Sequence, residues 1–127
     1  MGYARVDAGK LQPSCGPHPA ASRYDKRVGD ALRVRAFGMY QIELPPGGET
    51  VQHDHRVDGA EDVYAAVRGE GVVIVDGEDV PLGPGAFIAV DVASTRCVRA
   101  GPEGLTFIAV CATPPPLRDA DRARQTT

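Results

Sequence analysis

At 127 residues the chain is one domain's worth, and its 15 glycines and 11 prolines are spread between short apolar runs. That pattern suits many short strands joined by tight turns and excludes a helical bundle or a collagen repeat. A formal net charge of -3 and three cysteines, which lack C-x-x-C spacing, exclude a nucleic-acid face, an anionic-membrane face, a disulfide framework and a zinc knuckle.

Residues 1–35 mix proline, glycine and charge without a period and read as an irregular N-terminal arm, with a short helix or edge strand possible around "RVGDALRV". Its start, "MGYARVDAGKLQPSCG", has no apolar core for a signal peptide, and no segment approaches the roughly 18 apolar residues of a membrane span. A cytoplasmic protein is expected. From Phe37, "FGMYQIEL" alternates until Pro45, Pro46, Gly47 and Gly48 interrupt it, so a half-buried strand runs into a tight turn. "TVQHDH" reads as the next strand, "DVYAAVR" as its partner, and "GVVIVDGEDVPL" as a hairpin turning at Asp76-Gly77 in type I′ geometry. "AFIAV", "RCVRA" and "LTFIAV" supply three more, about eight in all. The barrel is placed at residues 36–113. Residues 114–127, almost without apolar side chains after Leu117, read as a loose tail.

Strands this short imply a sandwich or barrel in which alternate side chains point inward. His53 and His55 then share one face, while Gln52, Asp54 and Arg56 share the other. Two histidines so placed can approach one ion at about 2.0 to 2.1 Å each, and a carboxylate on a neighbouring strand would complete three ligands. An H-x-H alone suits equally well two histidines that pack or hydrogen-bond at the mouth of a barrel.

The run "GGETVQHDHRVDGAEDVYAAVRG" resembles the first motif of the cupin family: Gly, five residues, His-x-His, three or four residues, Glu, six residues, Gly. Gly47, His53, His55 and Gly69 hold four of those places, and Asp62 stands where the family has glutamate. The two extra residues between His55 and Asp62 fall around Asp58 and Gly59, in a hairpin loop that tolerates them. Glu61 is one step out of phase and should point the other way. The resemblance runs from Phe37 to Val110. It implies an all-β double-stranded β-helix, a jelly-roll barrel, paired as a homodimer through its sheets. The family's second motif, laid on Gly85, meets Asp91, Ala93, Arg96 and Ala100 instead of its proline, glycine, histidine and asparagine. Arg96 therefore takes the place of the remaining histidine ligand of metal-binding cupins, and a guanidinium has no lone pair to donate.

Two arrangements follow. In the first, His53, His55 and Asp62 hold a divalent Fe, Mn, Ni or Zn ion, and Arg96 holds the carboxylate or phosphate of a small anionic substrate. The chain would then be a metal-dependent enzyme of the oxygenase, isomerase or cyclase type. A guanidinium about 5 Å from a doubly charged ion is repelled by roughly 6 to 7 kcal/mol at an effective dielectric near 20, so Arg96 would have to turn away or share an anion. In the second, Arg96 pairs with Asp62, and the chain is a metal-free module that binds or senses a small molecule. Tyr64, two residues after Asp62, shares its face and joins Arg96 as a catalytic or substrate-binding candidate, with core packing as its plainer role. Met39 and Gln41 share a face of the first strand and are candidates to line the cavity, with core packing again as the plainer role. Cys97 has the parity opposite to Arg96, and His18 reaches the site only if the arm folds over the mouth.

Overall fold

The computed structural model describes residues 2–116, so the part of the expected loose tail from 117 to 127 lies outside the described residues. In chain order the elements are β1 (Asp25–Arg27), α1 (Val28–Ala31), β2 (Gly38–Leu44), β3 (Glu61–Val75), β4 (Glu78–Leu82), β5 (Phe87–Val90) and β6 (Arg96–Ala112). The strands pair antiparallel in the order β1-β2-β6-β3-β4, with β5 added on β3. The all-β jelly-roll expectation is borne out.

Four of the expected strands prove to be halves of two. "DVYAAVR" and "GVVIV" run on as β3, while "RCVRA" and "LTFIAV" run on as β6, and the two pair from Glu61↔Ala112 to Val75↔Arg96. Register shifts between Ala66 and Arg68, and between Gly69 and Gly71, bend this long ribbon so that both halves turn the same face inward. Glycine is required at the bend: Gly69 has φ +78°, and a side chain there would strike the Gly104 carbonyl. At the far end Asp76 and Gly77 both have positive φ, 48° and 83°, as a type I′ turn demands.

"TVQHDH" departs from expectation. It lies beside the start of β6, not beside the "DVYAAVR" half of β3 expected as its hairpin partner, and does so as two isolated bridges, Glu49↔Arg99 and His53↔Arg96, rather than as a continuous ladder. Exposed Val51 and Gln52 fill the gap between them. The pairing is still firm at His53, whose N–H and C=O exchange hydrogen bonds with Arg96 at 2.9 and 2.8 Å.

Ile42, Leu44, Tyr64, Val73, Leu82, Val98, Leu105 and Phe107 form the core between the bent halves. Fully burying each such aliphatic or aromatic side chain contributes about 1.5 to 3 kcal/mol. Because Ile42 and Leu44 set the inward face of β2, Tyr40 also points in. Met39 and Gln41 point out, which corrects the parity expected for that strand.

The N-terminal arm is tied to the barrel. β1 pairs with β2 from Asp25↔Ile42 to Arg27↔Tyr40. Asp25 accepts from the Ser22 backbone N–H at 3.0 Å and from its hydroxyl at 2.6 Å, and Lys26 Nζ reaches the Ala8 carbonyl at 2.9 Å and Glu43 at 2.8 Å. These contacts draw residues 16–22 across one end of the barrel.

Candidate functional site

A cavity of about 480 Å³ opens at that end, with Asp62 and Tyr64 from β3, His53 and His55 from the bridged segment, and His18 from the arm on its walls. The strand parity of β3 puts Asp62 and Tyr64 inward and leaves Glu61 exposed. Asp62 is the hub. Its Oδ2 accepts from Arg96 Nη1 at 2.7 Å, from the Tyr64 hydroxyl at 2.9 Å and lies 3.1 Å from His55 Nε2. His53 Nε2 stands 3.9 Å away, beyond hydrogen-bond reach. Burial pushes the Asp62 carboxyl up, but the hydrogen bond from Tyr64 and the charges of His55 and Arg96 hold it below the ordinary carboxylate range.

Arg96 is fully buried and does not reach the cavity surface. It lies behind Asp62, with Nε donated to the Ser94 carbonyl at 3.2 Å and Nη2 to the Asp91 carbonyl at 2.6 Å. Its donors on all three nitrogens are engaged within the chain. Tyr64 spends its hydroxyl hydrogen on Asp62, and burial followed by the Asp62 charge raises its pKa further, so it serves as a fixed donor to the hub. Gln41 and Met39 take no part: Gln41 Nε2 donates to Glu43 at 3.0 Å, and Met39 packs beside Gly29 of α1.

Residues that sequence reasoning did not single out complete the mouth. Asp58, in the loop holding the two extra residues, lies 2.9 Å from His55 Nδ1 and 3.0 Å from His18 Nε2. The His18 contact, together with the Ala60 N–H and His55, draws its carboxyl down to about 2. His18 Nδ1 accepts the Ala20 N–H at 3.0 Å, so His18 donates to Asp58 through Nε2 and pins the arm over the cavity. Tyr40, Ile42 and Cys111 line the opposite wall, with the Cys111 thiol pushed up by burial. An acidic loop residue and an aperiodic arm carry no sequence signal that would have brought them here.

The ligand atoms of His53, His55 and Asp62 lie within 4.8 Å of one another, as do those of His18, His55 and Asp58. In kind and spacing the first group suits a divalent ion. The guanidinium 2.7 Å from Asp62 Oδ2 does not, because it takes up the carboxylate oxygen that faces both histidines and repels the ion itself. His55 stands between Asp58 and Asp62 with neither ring nitrogen left bare. In the second group, His18 Nε2 carries the hydrogen and has no lone pair to offer.

A family described as a cupin domain matches residues 40–111. A protein named as an oxalate-binding protein, from Thermotoga maritima, is 30% identical over 82 residues, 64% of this chain and 66% of that protein. That match spans slightly less than two thirds of the relative's length. A solved cupin protein from Bacteroides fragilis has a TM-score of 0.69 at 18% identity, covering 93% of this chain and 90% of that one. A solved sugar phosphate isomerase of a cupin superfamily, from Silicibacter pomeroyi, also reaches 0.69 at 18% identity, over 88% and 77%. A solved predicted oxalate decarboxylase from Thermotoga maritima reaches 0.67 at 24% identity, over 87% and 100%. These structural likenesses speak for the fold alone.

Proposed function

The chain belongs to the cupin family, and we propose that it is a metal-free cupin that binds a small molecule in the cavity over His53, His55, Asp62 and Tyr64. The observation that carries this reading is the ion pair between Arg96 and Asp62, 2.7 Å long with side chains 0% and 6% exposed. A carboxylate so deeply placed needs a partner, and Arg96 supplies it without an ion. Arg96 is then a positioning residue that holds Asp62. With its nitrogens engaged elsewhere, the expectation that it grips an anionic substrate has no support in the geometry. No helix among the described residues is long and apolar enough to cross a membrane. A cytoplasmic setting and a homodimer, formed through the outer sheet face that exposes Val63, Val67 and Phe87, complete the proposal.

A second reading rests on the convergence of His53, His55 and Asp62 within 4.8 Å. In it these three hold a divalent ion, Arg96 leaves Asp62, and the chain is an enzyme of the oxygenase, isomerase or cyclase type. Elemental analysis after reloading with iron, manganese, nickel or zinc separates the two. The metal-free reading expects below about 0.1 equivalent in the wild type and a sharp rise in Arg96→His, because zinc-type sites are worth roughly 10 kcal/mol or more once the repelling charge is gone. About one equivalent in the wild type would overturn it in favour of the enzyme.

A further inference from the structure

We infer that the cavity takes small molecules with a protonated amine head and an apolar body, and turns away carboxylates and phosphates; this rests on the metal-free reading above. Two acceptors on its wall are bare. The hydrogen bonds to Asp62 all fall on Oδ2, so among the described residues Oδ1 has none. His53 places Nδ1 2.8 Å from the Val51 carbonyl. A carbonyl only accepts, so Nδ1 carries the hydrogen and the neutral ring keeps its lone pair on Nε2. No side-chain nitrogen or oxygen sealed from solvent lacks a partner among the described residues. Both bare atoms are therefore open, and their residues line the cavity. Asp62 is only 4% exposed, so its bare oxygen has little water to satisfy it and favours a ligand that brings a donor.

The charges around the cavity point the same way. Asp25, Asp30, Asp58 and Asp62 line it against two cationic groups: Arg27, itself 3.6 Å from Asp30, and His55, whose two ring nitrogens both donate to carboxylates of Asp58 and Asp62. Arg96, behind the wall, is engaged on all three nitrogens. An incoming carboxylate would face acceptors and find no uncommitted guanidinium. A protonated amine donates to Asp62 Oδ1 and His53 Nε2 together. Its single charge meets half the repulsion from Arg96 that a divalent ion meets at the same place. Ile42, Ala60, Ala109 and the ring of Tyr40 supply the apolar wall for the body of the molecule.

The test is titration calorimetry on the full chain at neutral pH with EDTA present, using benzylamine and benzoate as molecules of one shape and opposite charge. Benzylamine should bind at least about tenfold tighter than benzoate, and His53→Ala should weaken it by about tenfold. Should His53→Ala fail to fold, the His53 ring nitrogen resonances of the wild type provide the readout, and they must move on adding benzylamine. Benzoate or oxalate binding as tightly as benzylamine overturns the inference and leaves the metal-free reading standing. Binding of either molecule only after zinc or manganese is loaded overturns both. Binding of neither at about 10 mM overturns the inference, since that is weaker than a site with two bare acceptors should deliver.

Discussion

Arg96 and Asp62, 34 residues apart in the chain, meet at 2.7 Å with both side chains shut away from water. His53, which bridges to Arg96 through its backbone, sets the strand spacing that lets the guanidinium pass behind the carboxylate. The pair joins the first half of the barrel to the second at its most buried polar point. Such a pair costs more when it is broken than it contributes over an apolar pair of the same size, because either partner left alone is an uncompensated buried charge.

Arg96→Met is therefore expected to lower stability by about 3 to 5 kcal/mol, measured by urea denaturation, while adding Asp62→Leu to Arg96→Met recovers much of that loss. Equal losses in the single and double variants would show that the pair is not what makes Arg96 matter.

Much of this arrangement is legible in residue spacing, and the reasons differ from residue to residue. The two-residue period of a strand places His53 with His55 and selects Asp62 over Glu61, and both consequences appear in the folded chain. The cupin resemblance and the all-β barrel are borne out for the same reason: turn residues and alternation are local, and β3 and β6 need only one long pairing to bring their ends together. On β2 the two-residue period alone leaves the phase open, and the burial of Ile42 and Leu44 turns Met39 and Gln41 outward. His18 lies 40 residues from Asp58 in an arm with no period. Its placement depends on the Ser22–Asp25 and Lys26–Ala8 contacts, which are single polar bonds that leave no pattern in the sequence.

Glu43 gives the arm a pH dependence. The hydrogen bond from Lys26, with a smaller one from Gln41, holds its carboxyl below the ordinary value of 4.5. A carboxyl depressed by folding adds stability that is present above its unfolded value and lost as pH falls through its folded one. Both groups are partly open to solvent, with side chains 11% and 35% exposed, so the contribution is about 0.5 kcal/mol. Glu43→Gln should remove that increment at neutral pH and flatten the fall in stability below pH 4.5, followed by denaturation at a series of pH values. An unchanged slope would mean the ion pair is spectator to the arm.

On the outer face, Ala65 lies opposite Phe87 and Val63 opposite Ala89, so Val63 at 40% and Phe87 at 76% exposure share one apolar surface. That surface is the proposed dimer contact, and removing it from water at about 25 cal/mol per Å² is the force available for pairing. Light scattering should give twice the mass of the chain for the wild type and the mass of one chain for Phe87→Asp. A monomer in both, or a dimer in both, would move the contact elsewhere or remove it.

Asp58 holds the arm across the cavity through His18 at 3.0 Å and braces His55 at 2.9 Å from the same carboxylate. The loop lengthened by two residues thus does more than tolerate its insertion, since it supplies the carboxylate that fastens residues 16–22 over the mouth. His18→Ala removes the fastening and leaves His55, Asp58 and the barrel sheet in place. Hydrogen exchange should then speed up at Ala20, whose N–H loses its acceptor on His18, and at Ala21, whose N–H bonds the His18 carbonyl at 2.9 Å. Amides within β3 and β6 should keep their protection, because none of their ladder bonds involves the arm. Unchanged exchange at Ala20 and Ala21 would mean that β1 alone holds the arm closed, and that Asp58 serves only His55.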